Sequence, residues 1–180
     1  MSKYQQRGAY HYEEFGKPTT YRLHVLDLVD RIMDHVPKEL LLPKVAEIGC
    51  GEGLILSQLS RQGFLCEGCD VDLMAVELGK KHGNRVQLGT IDVFKGREFH
   101  VVLLCDVLEH VENPALVMAD ARALAPFGLV VIAVPDRKDR HAIHEVDPRA
   151  VKSYMEPNGF ECVHQSQRHA RHLMIFQGRS

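Results

Sequence analysis

Val45-Ala46-Glu47-Ile48-Gly49-Cys50-Gly51-Glu52-Gly53-Leu54-Ile55-Leu56-Ser57-Gln58-Leu59 is the stretch on which the fold turns. A short apolar run from Lys44 to Ile48 stops at three alternating glycines. Directly behind them Ile55, Leu56 and Leu59 fall three and four apart and make one apolar helical face, with Ser57, Gln58 and Ser60 as polar neighbours. Strand, glycine-rich turn and helix form the opening unit of a doubly wound α/β fold. The glycines let the backbone turn sharply and let a ligand come close. The helix behind them offers unpaired N–H groups and a partial positive charge to an anionic group. Such a loop is weak evidence alone, because dinucleotide-binding folds use one too. Asp70 adds weight: it ends the next strand about 20 residues on, where a carboxylate can accept both hydroxyls of a ribose.

The pattern continues outward from this unit. On the N-terminal side, Leu23, Leu26, Val29, Ile32, Met33 and Val36 recur at helical spacing between Thr20 and Val36, and Pro37 ends the helix. On the C-terminal side, Phe64 to Cys69 reads as a strand and Leu73 to His82 as a helix. Arg85 to Leu88 is a weaker strand leading to Asp92. His100 to Cys105 is a near-continuous apolar run, as expected of a strand covered on both faces. A helix from Pro114 to Leu124 and a strand from Leu129 to Val134, cut off by Pro135, follow. Beyond Asp147 come a helix to about Glu156 and two strands, Phe160 to Gln165 and His172 to Gln177. Strands separated by helices imply right-handed crossovers and a mostly parallel sheet. The link Ser166 to Arg171 is too short for a crossover, so the final pair is expected as a C-terminal antiparallel hairpin.

The 180 residues, 45% hydrophobic and 26% charged, suit one globular domain with a sizeable core. The expected division is an N-terminal segment and helix (1–37), a ligand-binding core (43–135) and an acceptor-side loop, helix and hairpin (136–180). A net charge of −2 argues against a nucleic-acid partner, which calls for a basic stripe. The polar, aromatic start from Met1 to Tyr12 does not read as a signal peptide, and no apolar run approaches the roughly 20 residues of a membrane span. A cytoplasmic protein is the expectation. The five cysteines sit mostly in apolar runs and are expected as reduced, buried thiols. Cys66 and Cys69 have metal or redox spacing, but on one strand they point to opposite faces, and no second pair accompanies them.

Two segments carry a family resemblance. Val45 to Gly53 resembles the first motif of class I S-adenosylmethionine-dependent methyltransferases, with an acidic residue two before the first glycine. Phe99 to Val111 (Phe-His-Val-Val-Leu-Leu-Cys-Asp-Val-Leu-Glu-His-Val) is similar to that family's fourth motif, and Glu112-Asn113-Pro114 and the Gly128 to Pro135 strand also fit. The similarity is closest to the small-molecule branch of the ubiquinone-biosynthesis type. It implies a Rossmann-like methyltransferase fold and S-adenosylmethionine as cofactor. By position, Glu47 would face the methionine amino group; Gly49, Cys50 and Gly51 would pack on the methionine half, and Gly53 would complete the loop. Asp70 would hold the ribose, with Val71 beside the adenine, Asp92 and Val93 at its amino edge, and the main chain of Cys105 bordering the ammonium. Two departures stand out. Glu47 replaces the more usual aspartate, one methylene shorter, and Thr90 to Val93 lacks the common Gly-Asp pair.

Methyl transfer from a sulfonium is an in-line displacement in which the protein mainly positions the reactants, worth roughly 7–11 kcal/mol. A general base would add about 10²–10⁴-fold for a hydroxyl acceptor. His110, after the fourth strand, and His144, with His141, after the fifth, are the candidate bases, in a chain with 11 histidines, any of which can instead face solvent. Asp106, Glu109 and His110 resemble a Glu-x-x-Glu-His set that holds a divalent cation in some ubiquinone-pathway O-methyltransferases. The preferred reading has Asp106 capping a helix and Glu109 and His110 supporting the cofactor loop, so no metal is assigned. His164, Arg168, His169, Arg171 and His172 make a local cationic patch that suits an anionic acceptor or a charged hairpin turn. Tyr4, Tyr10, His11, Tyr12 and Phe15 precede the first helix, where Tyr21 or Arg22 could reach the methionine carboxylate. The leading expectation is methylation of a small-molecule or a lipid- or sugar-linked acceptor. An RNA or protein methyltransferase and a catalytically silent cofactor-binding subunit are the alternatives. Acceptor identity and oligomeric state are open.

Overall fold

A computed structural model of the chain describes residues 4, 6, 8–136 and 142–179. Its strands are β1 (Lys44–Ile48), β2 (Leu65–Asp70), β3 (Val86–Leu88), β4 (Val101–Cys105), β5 (Leu129–Pro135), β6 (Phe160–Arg168) and β7 (Arg171–Gly178). The helices are α1 (Tyr10–Gly16), α2 (Thr20–His35), α3 (Leu54–Arg61), α4 (Leu73–Lys81), α5 (Pro114–Leu124) and α6 (Pro148–Met155). The described residues form a seven-stranded sheet in the order β3-β2-β1-β4-β5-β7-β6. β3, β2, β1, β4 and β5 are parallel, and β7 runs antiparallel to both β5 and β6. The doubly wound sheet with its terminal hairpin is therefore the one expected.

Alternation along each central strand separates two cores. Val45, Leu103 and Val131 pack with Val25, Leu28, Ile32, Leu56 and Leu59 on one side. Ala46, Val102, Leu104 and Ile132 pack with Met118, Ala121, Val151 and Met155 on the other. Cys66 and Cys69 fall into opposite cores, as their spacing requires, and all five thiols are unpaired. Local chemistry starts the helices. Thr19, Asp72, Asn113 and Asp147 accept from the backbone N–H of Arg22, Met74, Leu116 and Arg149 respectively. Among the described residues no helix is long and apolar enough to cross a membrane.

Three expectations are corrected. Tyr10, His11, Tyr12 and Phe15, expected ahead of the first helix, lie within the additional short helix α1. The buried face of α2 is His24, Val25, Leu28, Val29 and Ile32, while Leu23 and Leu26 are 53% and 40% exposed. Apolar residues cover more than one stripe of this helix, so periodicity alone does not choose the face that docks. The hairpin link is also shorter than expected. Arg168 pairs with Arg171, leaving only His169 and Ala170, at φ 53 and 60, in the turn. Two left-handed residues match the twist of a tight hairpin, but that turn is usually announced by Asn-Gly or Asp-Gly, which is absent here.

Candidate functional site

The strand order reverses between β1 and β4, and ligand crevices in doubly wound sheets open at the carboxyl ends of the strands at that point. The glycine loop joins β1 to α3 there. Gly49, Gly51 and Gly53 all have positive φ, at 65, 56 and 76. A Cβ on Gly49 would meet Val107 Cγ2 at 2.7 Å, and one on Gly51 would run into the Tyr4 hydroxyl. Gly53 faces Asn84, at the far side of the loop. The Cys50 side chain is buried in the core, and burial pushes its thiol well above the usual range, so only its main chain serves the cleft.

Asp70 ends β2 beside this loop. Its Oδ2 accepts from Gly51 N–H at 2.8 Å and its Oδ1 from Asp72 N–H at 2.8 Å. Burial raises the Asp70 carboxyl, and those two N–H groups pull it back. Glu47 is 3% exposed and its Oε2 has no hydrogen-bond partner. Burial, then the charge of Asp70, pushes its carboxyl up to about 8, against a hydrogen bond from the Leu56 backbone. A buried carboxyl with one oxygen unmatched keeps its proton until a cationic partner arrives to stabilise the charged form.

Beyond Asp70 the ends of β2 and β3 lie together, with Gly89 N–H bonded to Asp70 O at 2.9 Å. Val71, Leu73 and Leu88 leave an unusual amount of apolar surface here, at 72%, 58% and 52% exposed. Asp92 is exposed in the short 3₁₀ helix Ile91–Phe94, its Oδ2 accepting from Thr90 Oγ1 at 2.8 Å, and Val93 beside it is half-buried. Cys105 closes β4, half-buried, and burial, then the charge of Glu47, pushes its thiol well above the usual range.

After β4 the chain departs from the expected helix. Asp106 is left-handed, at φ 54, and the 3₁₀ helix Leu108–His110 holds only three residues. Asp106, Glu109 and His110 consequently share no helical face, and Asp106 does not cap. It is turned instead to Arg171, whose Nε bonds both its oxygens at 3.0 and 2.9 Å. Among the described residues no three His, Cys, Asp or Glu side chains converge as a metal site. His144 Nε2 donates to Leu108 O at 3.0 Å, a bond that places a proton on Nε2 and, in the neutral ring, leaves the lone pair on Nδ1. His110 is exposed, with Nε2 3.9 Å from Oε1 of the buried Glu109. His141 lies outside the described residues. Two members of the terminal cationic patch have acidic partners: Arg171 is held by Asp106, and His172 lies 3.5 Å from Asp136.

The sequence names Tyr4, His11, Tyr12 and Tyr21 among the N-terminal residues near the cofactor, but it does not reveal the burial of His24 or the reach of Glu52 to α1. Tyr21 stacks on His11 with centroids 5.3 Å apart, and burial together with Glu47 and Asp106 raises its hydroxyl well above the usual range. Arg22 points away, over the Phe15 ring at 5.5 Å. His24 is 4% exposed, and burial, reinforced by Arg171, lowers it to about 4. Glu52 is fully buried under α1. An acidic residue inside a glycine loop was the one available signal for that contact.

A family model described as a methyltransferase domain matches residues 20–165. The ubiquinone biosynthesis O-methyltransferase of Bartonella bacilliformis is 33% identical over 104 residues, 52% of this chain and 42% of that protein. Its counterpart from Maricaulis maris is 32% identical over 110 residues, 54% and 42%. The matched part thus spans well under half of these relatives. Among solved structures, magnesium protoporphyrin IX methyltransferase from Synechocystis with bound SAH superposes at TM-score 0.77, with 17% identity over 98% of this chain and 96% of that one. A TehB-like SAM-dependent methyltransferase from Corynebacterium glutamicum superposes at 0.70, with 20% identity over 98% and 96%. At these identities the likeness shows the fold.

Proposed function

The chain belongs to the methyltransferase-domain family, and from that premise we propose that it transfers a methyl group from S-adenosylmethionine to a small-molecule acceptor. The observation that carries this reading is the unmatched, buried Oε2 of Glu47 beside the glycine loop. It suits the methionine ammonium, which would supply the missing charge and donors. Asp70, already oriented by Gly51 and Asp72, presents its remaining lone pairs to the ribose hydroxyls. Val71 and Leu88 offer an apolar seat for the adenine, with Asp92 and the Val93 N–H at its polar edge. Gly49, the Cys50 main chain and Gly51 would flank the methionine half, Gly53 would hold the loop turn, and the Cys105 main chain would border the ammonium.

Bound, the cofactor supplies an electrophilic methyl on a positively charged sulfur. The protein's task is to line up an acceptor atom behind that methyl and exclude water. For a hydroxyl acceptor, His144 Nδ1 or His110 would receive the proton, and the Leu108 carbonyl keeps the His144 imidazole in the tautomer that can do so. The small-molecule acceptor draws support from the ubiquinone O-methyltransferase relatives. Calorimetric titration tests the reading: S-adenosylmethionine and S-adenosylhomocysteine should bind and NAD should not. Binding of NAD alone would overturn it.

A further inference from the structure

Glu52 sits inside the glycine loop, yet its carboxylate serves another element. Oε1 accepts from the backbone N–H of His11 at 2.7 Å and of Tyr12 at 3.3 Å, from 41 and 40 residues away. Those are first-turn N–H groups of α1, which have no partner within the helix. α1 has Ala9 at its N-cap and no side-chain cap of its own, so Glu52 is its cap. The negative charge also lies at the positive end of the helix dipole.

A second clamp acts from the other side. Asn84 Nδ2 donates to Tyr12 Oη at 2.9 Å and to the Glu52 main-chain oxygen at 2.8 Å. The Tyr12 ring stacks on His82 at 3.9 Å and 14°. Helix α1 is therefore fastened to the loop that turns at Gly51. What it carries there is functional surface: His11 stacks on Tyr21, and His11 Nδ1 bonds Tyr4 Oη at 3.0 Å. The Tyr4 oxygen lies against Gly51, in the space that a Cβ there would occupy.

The arrangement has a cost. Glu52 Oε2 is buried with no hydrogen-bond partner, where a serine at position 9 would cap α1 with no buried charge. A carboxylate at position 52 does what a local cap does not do: it ties the helix to the ligand-binding loop.

We propose that Glu52 is a positioning residue for the cofactor, capping α1 from within the glycine loop so that the docked helix closes over a ligand at Gly51. The inference rests on the methyltransferase reading and deepens it. Ligand binding and docking of α1 are then coupled, each favouring the other.

The test uses the full chain as wild type, Glu52→Ala, Glu52→Gln and Tyr12→Phe. Affinity for S-adenosylhomocysteine is measured by calorimetry, and cleavage within residues 8–17 by limited proteolysis with and without that ligand. In the wild type the ligand should slow cleavage. Glu52→Ala should lose about tenfold in affinity, the scale of a lost helix cap, and its cleavage should no longer respond to ligand. Glu52→Gln, which keeps an accepting oxygen, should recover part of both. Tyr12→Phe, which removes only the acceptor for Asn84, should lose affinity about threefold, and it decides the matter if Glu52→Ala does not fold. A folded Glu52→Ala with wild-type affinity, an unchanged Tyr12→Phe where Glu52→Ala does not fold, or wild-type cleavage indifferent to ligand overturns the proposal. A wild type that binds no S-adenosylmethionine or S-adenosylhomocysteine overturns the methyltransferase reading itself, and this inference with it.

Discussion

The backbone N–H of Gly51 donates to Oδ2 of Asp70 at 2.8 Å, joining the glycine loop after β1 to the end of β2. One carboxylate thereby shapes the loop and faces the ligand. Its second oxygen is held by Asp72 N–H, so the group is oriented before anything binds.

Asp70→Ala should weaken cofactor binding by roughly 1.5–3 kcal/mol, the range for hydrogen bonds to a charged group. Calorimetry on the folded variant checks this. An unchanged dissociation constant would remove Asp70 from the ribose site.

Gly51→Val should do more damage than Asp70→Ala. The backbone there is at φ 56, which a branched residue rarely adopts, and a Cβ would strike the Tyr4 hydroxyl. Binding should fall below detection while the circular dichroism spectrum stays that of the parent. A variant that binds normally would mean that the ligand does not approach Gly51.

Glu47 makes a prediction in pH. Its folded carboxyl is raised to about 8 from the ordinary 4.5, so the folded state keeps a proton that the unfolded chain releases. Stability from this group is fully present below about 4.5 and is lost as pH rises toward 8. Glu47→Gln should flatten that decline in denaturant titrations. If Glu47 meets the methionine ammonium, cofactor binding should also expel up to about one proton near pH 7, visible as buffer-dependent binding heat. Equal heats in all buffers would count against that contact.

His24 acts with the opposite sign. Lowered from 6.5 to about 4, it is neutral in the fold and charged in the unfolded chain below 6.5. Stability present above 6.5 is lost as pH falls toward 4, and His24→Gln should lessen that acid loss. Parallel acid unfolding curves for variant and parent would show that the buried imidazole does not set it.

His144→Ala should lower turnover by about 10²–10⁴-fold if it is the general base. Cofactor affinity should barely change, because a base acts on the acceptor proton in the transition state. A screen of phenols, carboxylates and amines with labelled cofactor must first supply an acceptor. Full turnover in both His144→Ala and His110→Ala would leave positioning alone to carry the reaction.

What was legible in the sequence was local. β1 and α5 coincide with the expected Lys44 to Ile48 and Pro114 to Leu124 because a glycine stop, an Asn113 cap and Pro114 mark them within a few residues. The glycine loop and Asp70 were legible for the same reason. Contacts across long sequence separations were not. Arg171 reaches Asp106 from 65 residues away and Asn84 reaches Tyr12 from 72, and no periodicity or motif joins such pairs. The α2 face failed for a related cause, since only docking distinguishes Val25 and Leu28 from Leu23 and Leu26.

The place of β7 between β5 and β6 has a consequence for how the chain assembles. During synthesis β6 emerges before the strand that connects it to the sheet, so at that moment β6 has no partner and β5 presents an open edge. The sheet closes only when residues 171–178 arrive, and the same strand brings Arg171 to Asp106. Until β7 docks, the β5 edge is a row of unpaired backbone groups open to mispairing with another chain.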